Sequence, residues 1–344
     1  MNGTPRRIAI LGAGSIGCYL GGHLASVAEV TLIGRPAAMA VLKDRGLTLT
    51  TSTAPARWVP PTALRTATHA EAAADADIVL VTVKSADTGI AARNLAPHLS
   101  ARTVICSFQN GLHNARLLRG ALPDHTVLAG MVPYNVIQTE PGRFHRGSGG
   151  SLMVDDIPAA RDLTAALAQA GLGVQPHTDM PGIQHAKLLM NLNNALNALS
   201  GQPLRQQLGQ RAFRQCLALC QSEALAAFRA EGVTPARLTP IPPALMPHLL
   251  RLPDSLFQRV ARRTLAIDAE ARSSMWEDLE RGRGTEIDHL QGEIVAMAAR
   301  HSLPAPVSAR VVQLVHDAEN APASRRAWTG PDLLFELTTA RPAL

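Results

Sequence analysis

The chain has 344 residues, roughly two domains at about 150 residues each, and each half is long enough to bury a core. With 46% hydrophobic and 17% charged residues, it is built neither as a disordered chain nor as a set of membrane spans. Its net charge of +6 is spread along the sequence without a basic run, which argues against nucleic acid as a partner and for small anionic ligands.

Only three of the 33 basic residues are lysine: Lys43, Lys84 and Lys187. Arginine supplies positive charge everywhere else, and it cannot give up its proton when desolvated as lysine can, so the lysines stand out as candidates for chemistry. Cys18, Cys106, Cys216 and Cys220 form no CxxC pair and no zinc-type spacing with histidine. They read as reduced thiols in a cytoplasmic protein without a metal. No signal-peptide segment precedes the first strand. The apolar stretch 8–25 holds five glycines and His23, so it reads as strand, turn and helix rather than a membrane span.

In chain order, short β-branched runs predict strands at 8–11, 30–33, 78–83, 104–108 and 127–131, alternating with Ala-rich helical stretches. That alternation is the pattern of a parallel sheet flanked by helices. The Gly-rich stretch 133–154 suggests antiparallel strands extending the sheet edge, followed by a helix at 159–170 and a strand at 173–176. After Asp179 the β-branched runs give way to helical periodicity, with helices expected at 182–199, 205–231, 253–281, 286–300 and 308–318. Six prolines between 234 and 253 mark a surface connection. The expected organisation is therefore an α/β Rossmann-type domain over 1–179 and an all-helical substrate and dimerisation domain over 180–344. Beyond residue 321, Trp328 and Phe335 are expected to cover the core.

Gly12-Ala13-Gly14-Ser15-Ile16-Gly17 follows a strand and opens a helix. In a GxGxxG turn the first glycine allows the tight bend, the second lets the backbone approach a pyrophosphate, and the third lets helix pack on strand. An NAD-type site would carry an acid at the end of the second strand; here Gly34-Arg35 stands there, favouring the 2′-phosphate of NADP unless Arg35 is an ordinary surface arginine. Lys84 and Asn110 end the third and fourth predicted strands. In an open parallel sheet those ends line the ligand crevice, although a solvated strand end and an Asn-Gly turn are the plainer explanations.

The first helix of the second domain carries Lys187, Asn191, Asn193, Asn194 and Asn197. At about 100° per residue, Asn191 and Asn194 flank Lys187 on one stripe. Four asparagines would weaken a helix that only packs, so a binding face explains them better than a solvated one. His185 reads as packing. Further on, Thr285 with Asp288 has the form of a capping box, and Glu286 would lie in the first helical turn, where stabilising the helix dipole is an equally ordinary role.

The GAGSIG turn, VTVKS around Lys84, QNG at Asn110, KLLMNLNN from Lys187, SSM around Ser274 and TEID around Glu286 occur in this order across about residues 8–300. Together they resemble the ketopantoate reductase (2-dehydropantoate 2-reductase) family. The resemblance implies NADPH-dependent reduction of 2-dehydropantoate to (R)-pantoate, with Lys187 as catalytic general acid and Glu286 as active-site glutamate. It further implies substrate contacts from Asn110, Asn191 and Ser274, with Asn194 beside them, and cofactor contacts from Arg35, Lys84 and the glycine turn. Glu286 would orient the lysine or bind the substrate's terminal hydroxyl, while Ser274 and Asn110 would hold the carboxylate and the reacting oxygen. The family often has an asparagine eight residues after the lysine, where Ala195 stands here; Asn194 is on the same face. That departure leaves room for another 2-oxo or 3-hydroxy acid. A non-catalytic NADPH sensor is the reading from a different class, against which the retained Lys187 and Glu286 argue. A homodimer suits the apolar helices.

Overall fold

The computed structural model describes residues 6–260, 271–322 and 325–339. One compact unit ends at Met180 and a second begins at Pro181.

The first unit contains strands β1 Arg7–Leu11, β2 Glu29–Ile33, β3 Leu47–Thr51, β4 Arg57–Val59, β5 Arg65–Ala67 and β6 Ile78–Val81. It continues with β7 Val104–Ser107, β8 Thr126–Met131, β9 Val136–Glu140, β10 Arg143–Arg146, β11 Leu152–Asp155 and β12 Val174–His177. Eight of these form one sheet in the order β12-β11-β8-β7-β6-β1-β2-β5. Pairing from β5 through β8 is parallel, and β11 joins β8 antiparallel. β6 is buried at every position, which is why it reads as an unbroken apolar run: both faces of the sheet are covered. The chain goes from β1 to β2 on one side and later to β6 on the other, so the order reverses at β1, the Rossmann-type arrangement.

Two expectations for this unit change. Of the strands expected within 133–154, only β11 extends the main sheet; β9 and β10 pair with β3 and β4 in a separate four-stranded sheet. Its remaining members, β3 and β4, were not expected, because Leu47–Thr51 shows only the short alternation of a half-buried strand.

Every regular element among the described residues of the second unit is a helix or a 3-10 turn. The expected helix 182–199 is two helices, Met180–Asn191 and Asn193–Ser200, broken at Leu192. The Leu192 carbonyl accepts a hydrogen bond from the buried Gln291 side-chain amide at 2.7 Å, which competes with helix continuation. The expected helix 205–231 is broken at Gln210 into Leu204–Gly209 and Arg211–Ala230. Arg214 lies at this break, fully buried, donating to the carbonyls of Leu208, Gly209, Leu250 and Leu252 and to Asp254. One side chain thereby anchors the proline-rich connection, which contains short turns of helix at Pro243–Leu245 and Met246–Leu250 rather than loop alone. Of the expected helix 253–281, Asp254–Val260 and Ser274–Glu280 are helical, and 261–270 lies outside the described residues. A further helix, Gly330–Thr339, buries Leu333 and Leu337. Phe335 does not cover the core: it is 70% exposed, because it lies on the opposite face of that helix. Among the described residues no helix is long and apolar enough to cross a membrane, and the four cysteines are buried and free.

Candidate functional site

Four sequence-predicted features of the first unit lie at one edge of the sheet, beyond the carboxyl ends of adjacent parallel strands: the glycine turn after β1, Arg35 after β2, Lys84 after β6 and Asn110 after β7. The turn is fastened by the Gly12 and Ala13 N–H groups, which both donate to the Ile33 carbonyl at 3.0 Å. Gly12 adopts φ +106°, and a Cβ there would come within 2.5 Å of the Val83 nitrogen. At Gly17 a Cβ would meet the Gly12 carbonyl oxygen at 2.4 Å. Gly14 is different, because a Cβ there would find nothing closer than 4.0 Å within the protein. Two glycines thus serve packing, while the middle one leaves the turn open on its outer side.

The helix Ser15–Leu24 begins at this opening with no side-chain cap and no acidic residue in its first turn. Free first-turn N–H groups and the positive end of the helix dipole fit an anionic pyrophosphate. Ser15 and Ile16, in that first turn, are half-buried. Arg35 is exposed at the start of the helix Pro36–Arg45, and no carboxylate stands at that strand end, so the residues present fit a phosphorylated ribose.

Motif reading missed the buried network beneath Lys84 and Asn110. Ser85 Oγ donates to the Asn110 carbonyl at 2.8 Å, and the Asn114 amide donates to Ser85 Oγ at 3.1 Å and to the same carbonyl. Thr88 Oγ1 donates to Asn114 Oδ1 at 2.7 Å and accepts from the Gln109 amide at 2.8 Å; that amide also reaches the Val83 carbonyl at 3.1 Å. The network joins the loop after β6 to the loop after β7, fixing two half-buried residues, Lys84 and Asn110, on one rigid base. Ser85, Thr88, Gln109 and Asn114 are polar side chains in an otherwise apolar, buried setting, where each must find a partner.

In the second unit, Lys187 and Asn191 share the helix Met180–Asn191 and lie one turn apart on one face. Lys187 is half-buried, and burial draws its pKa down from 10.5 to about 8, because the charged ammonium loses hydration. His185 packs as expected, its Nδ1–H donating to the Pro181 carbonyl at 2.7 Å and its ring standing edge-on to Phe228. Asn194 lies just beyond the turn at Leu192, whose φ of −56° and ψ of −23° stay in the right-handed helical region. Asn194 is half-buried, and its carbonyl accepts from Ser273 Oγ at 3.0 Å.

The other two asparagines are structural, not part of a binding face. Asn193 and the fully buried Gln207 exchange amide hydrogen bonds at 2.9 and 3.2 Å. Asn197 donates to the Gln202 carbonyl and accepts from the Ser273 N–H, both at 2.9 Å. Ser273 in turn caps the helix Ser274–Glu280, accepting from the Trp276 N–H at 3.1 Å. Ser274 is the first residue of that helix, so the asparagine helix positions it through Ser273.

Glu286 is half-buried and immediately precedes a single 3-10 turn, Ile287–His289. The capping box does not form. Thr285 Oγ1 accepts from the Ile287 N–H at 3.2 Å, and Asp288 turns instead to His316 at 3.0 Å. Among the described residues no cluster of three or more His, Cys, Asp or Glu side chains is arranged to hold a metal.

A glycine turn at the reversal point of a parallel sheet, followed by a helical unit with a desolvated lysine, defines a dinucleotide-dependent oxidoreductase of the Rossmann class. Residues 8–159 match the family described as ketopantoate reductase PanE/ApbA, and residues 179–319 match its C-terminal domain. The chain belongs to the ketopantoate reductase family and is an oxidoreductase acting on CH–OH groups. It is 30% identical over 325 residues to a 2-dehydropantoate 2-reductase of Halobacterium salinarum, covering 91% of this chain and 99% of that one. A solved PanE/ApbA family ketopantoate reductase from Ralstonia eutropha superposes with a TM-score of 0.78 at 31% identity, covering 92% and 99% of the two chains. D-mandelate dehydrogenase bound to NADH and anilino(oxo)acetate shares the fold, at 19% identity, a TM-score of 0.77 and coverage of 92% and 99%.

Proposed function

We propose that this chain reduces 2-dehydropantoate to (R)-pantoate with NADPH, as a cytoplasmic step towards pantothenate and coenzyme A. Membership of the family, and relatives named for this reaction, support the substrate class. The observation that carries the reading is the desolvated Lys187, whose pKa of about 8 suits a group that must hold a proton at neutral pH and release it in the reaction. Free, buried cysteines suit a reducing compartment.

A bound nicotinamide supplies the hydride for the C2 carbonyl carbon. The chain's part is to bind, orient and protonate. Lys187 donates its proton to the alkoxide oxygen left at C2. Asn191, one turn along, together with Asn194 and Ser274, holds the substrate's polar groups, and Glu286 orients the ammonium or accepts from the terminal hydroxyl. The turn Gly12, Gly14, Ser15, Ile16 and Gly17 takes the pyrophosphate, Arg35 the 2′-phosphate, and Lys84 and Asn110 the groups beyond the strand ends.

NADPH oxidation with 2-dehydropantoate, followed at the nicotinamide absorbance, tests the reading: Lys187→Ala should lose about a hundredfold in turnover, the scale of a lost general acid. A wild type that binds NADPH and leaves it unoxidised overturns the substrate. A preference for NADPH over NADH that disappears in Arg35→Ala tests the cofactor assignment. Ala195, buried where the family often has asparagine, favours a second reading in which another 2-oxo acid is reduced, decided by comparing turnover on simpler 2-oxo acids.

A further inference from the structure

We propose that His316, held between Glu319 and Asp288, is a positioning residue for Glu286, clamping the segment that carries it only while its ring is doubly protonated. This rests on the reading that Glu286 serves the reaction.

The clamp grips Glu286 from both sides in sequence. Just before it, the Thr285 N–H donates to Glu319 Oε1 at 2.7 Å. Two residues after it, Asp288 Oδ1 stands 3.0 Å from His316 Nε2. The two grips meet at the ring, where His316 Nδ1 lies 2.8 Å from Glu319 Oε2. Ionised carboxylates only accept hydrogen bonds, and a neutral imidazole has a single N–H, so both contacts are satisfied only by the imidazolium. The hydrogen bond to Glu319 raises the His316 pKa above 6.5, outweighing the opposing effect of burial, with Asp288 adding to the rise. Once the ring loses its proton, one carboxylate faces a lone pair and the grip on that side opens.

Most charged groups of the neighbouring elements have partners other than the His316 ring. His316 lies on the helix Pro306–Asn320, which packs against Gln291–Arg300, Asn193–Ser200, Gly330–Thr339, Arg211–Ala230 and the turn Ile287–His289. From these, Glu293 pairs with Arg300, Glu336 with Arg310, Asp332 with Arg326 and Arg214 with Asp254, while Glu223 accepts from the Val307 and Ser308 N–H groups. Arg300 also pairs with Glu231. Arg211 donates to the Arg251 carbonyl, His289 shares the turn with Asp288, and Arg229 closes its helix. Asp288 and Glu319 are the carboxylates on the ring.

The test follows the full-length enzyme by NMR and by kinetics across pH. The His316 ring should titrate above the ordinary histidine range, and the Thr285 amide shift should follow it. His316→Gln, whose two N–H donors share one nitrogen and whose oxygen can only accept, cannot donate on both sides; it should raise KM about two- to fivefold at pH 6.5 with kcat little changed, the modest scale of partly exposed ion pairs, and should lose the pH dependence of KM. His316→Lys, cationic throughout, should keep the low KM at every pH. A ring that titrates normally, or a His316→Gln enzyme with the wild-type KM profile, overturns the proposal. Glu286→Gln separates the two ideas: full activity there refutes the role of Glu286, whereas loss of activity with an unaltered His316→Gln profile refutes the clamp alone.

Discussion

The Asn197 carboxamide accepts the backbone N–H of Ser273 at 2.9 Å, in a fully buried setting. Its other half donates to the Gln202 carbonyl, so one side chain ties the helix following Lys187 to the residue that caps the helix of Ser274. Leucine is close in size and offers neither bond. Asn197→Leu should leave a buried N–H and a carbonyl unpaired, costing about 1–3 kcal/mol each at most. Denaturant unfolding measures that loss, and KM should rise alongside it as Ser274 loses its anchor. A variant as stable as the wild type would mean that water or rearrangement replaces both bonds.

The glycine turn allows a sharper test, because two of its glycines differ in what surrounds them. A Cβ at Gly17 collides with the Gly12 carbonyl oxygen at 2.4 Å, whereas at Gly14 it enters open space. Gly17→Ala should therefore lower Tm without any ligand. Gly14→Ala should unfold like the wild type yet bind NADPH more weakly, since the methyl group occupies the side left for the pyrophosphate. Thermal unfolding with and without NADPH separates the two. Equal Tm losses in the absence of NADPH would contradict the division of roles.

Lys187 links activity to stability through pH. Its folded pKa of about 8 lies below the 10.5 of the free side chain, so the folded state binds fewer protons between those values. Stability therefore rises with pH across that window, and below about pH 8 the whole cost of burying the cation is present. Lys187→Met should lose activity about as far as Lys187→Ala yet be more stable than the wild type at pH 7, with the gain shrinking as pH climbs from 8 to 10.5. If Lys187 is the general acid proposed above, the wild-type kcat/KM for reduction should decline above about pH 8, as its ammonium form disappears. Unfolding curves for both proteins at a series of pH values check the first part, and initial rates check the second.

What could be read from the sequence was whatever is encoded in period and in local motif. The wholly apolar β6 and the glycine turn show themselves over a few residues, and so does the change to helical periodicity after Asp179. Interruptions depended on distant partners. Nothing near Leu192 announces that the side chain of Gln291, 99 positions on, will take its carbonyl. Nothing near Gln210 announces that Arg214 will gather carbonyls from Leu250 and Leu252. The same limit applies to the asparagine helix, where composition signalled that polar groups were needed. Only the fold separates Asn193 and Asn197, spent on Gln207 and Ser273, from Asn191 and Asn194. The TEID segment looked like a capping box because spacing cannot show that Asp288 has a better partner in His316.

Asn114 gives the last prediction, because it supports the strand-end loops without belonging to any motif. Its amide donates to Ser85 Oγ and to the Asn110 carbonyl, and its oxygen accepts from Thr88. Buried networks of this kind act as units, so removing one member leaves several partners unsatisfied together. Asn114→Leu should destabilise the first unit by about 1–3 kcal/mol or somewhat more. It should also raise KM for NADPH, because Lys84 and Asn110 lose their common base, while Asn114→Asp should keep part of both properties by retaining the acceptor for Thr88. Cofactor titration by fluorescence together with denaturant unfolding reads both effects. Lost stability with unchanged NADPH affinity would show that the network holds the sheet edge together without setting the position of the two residues above it.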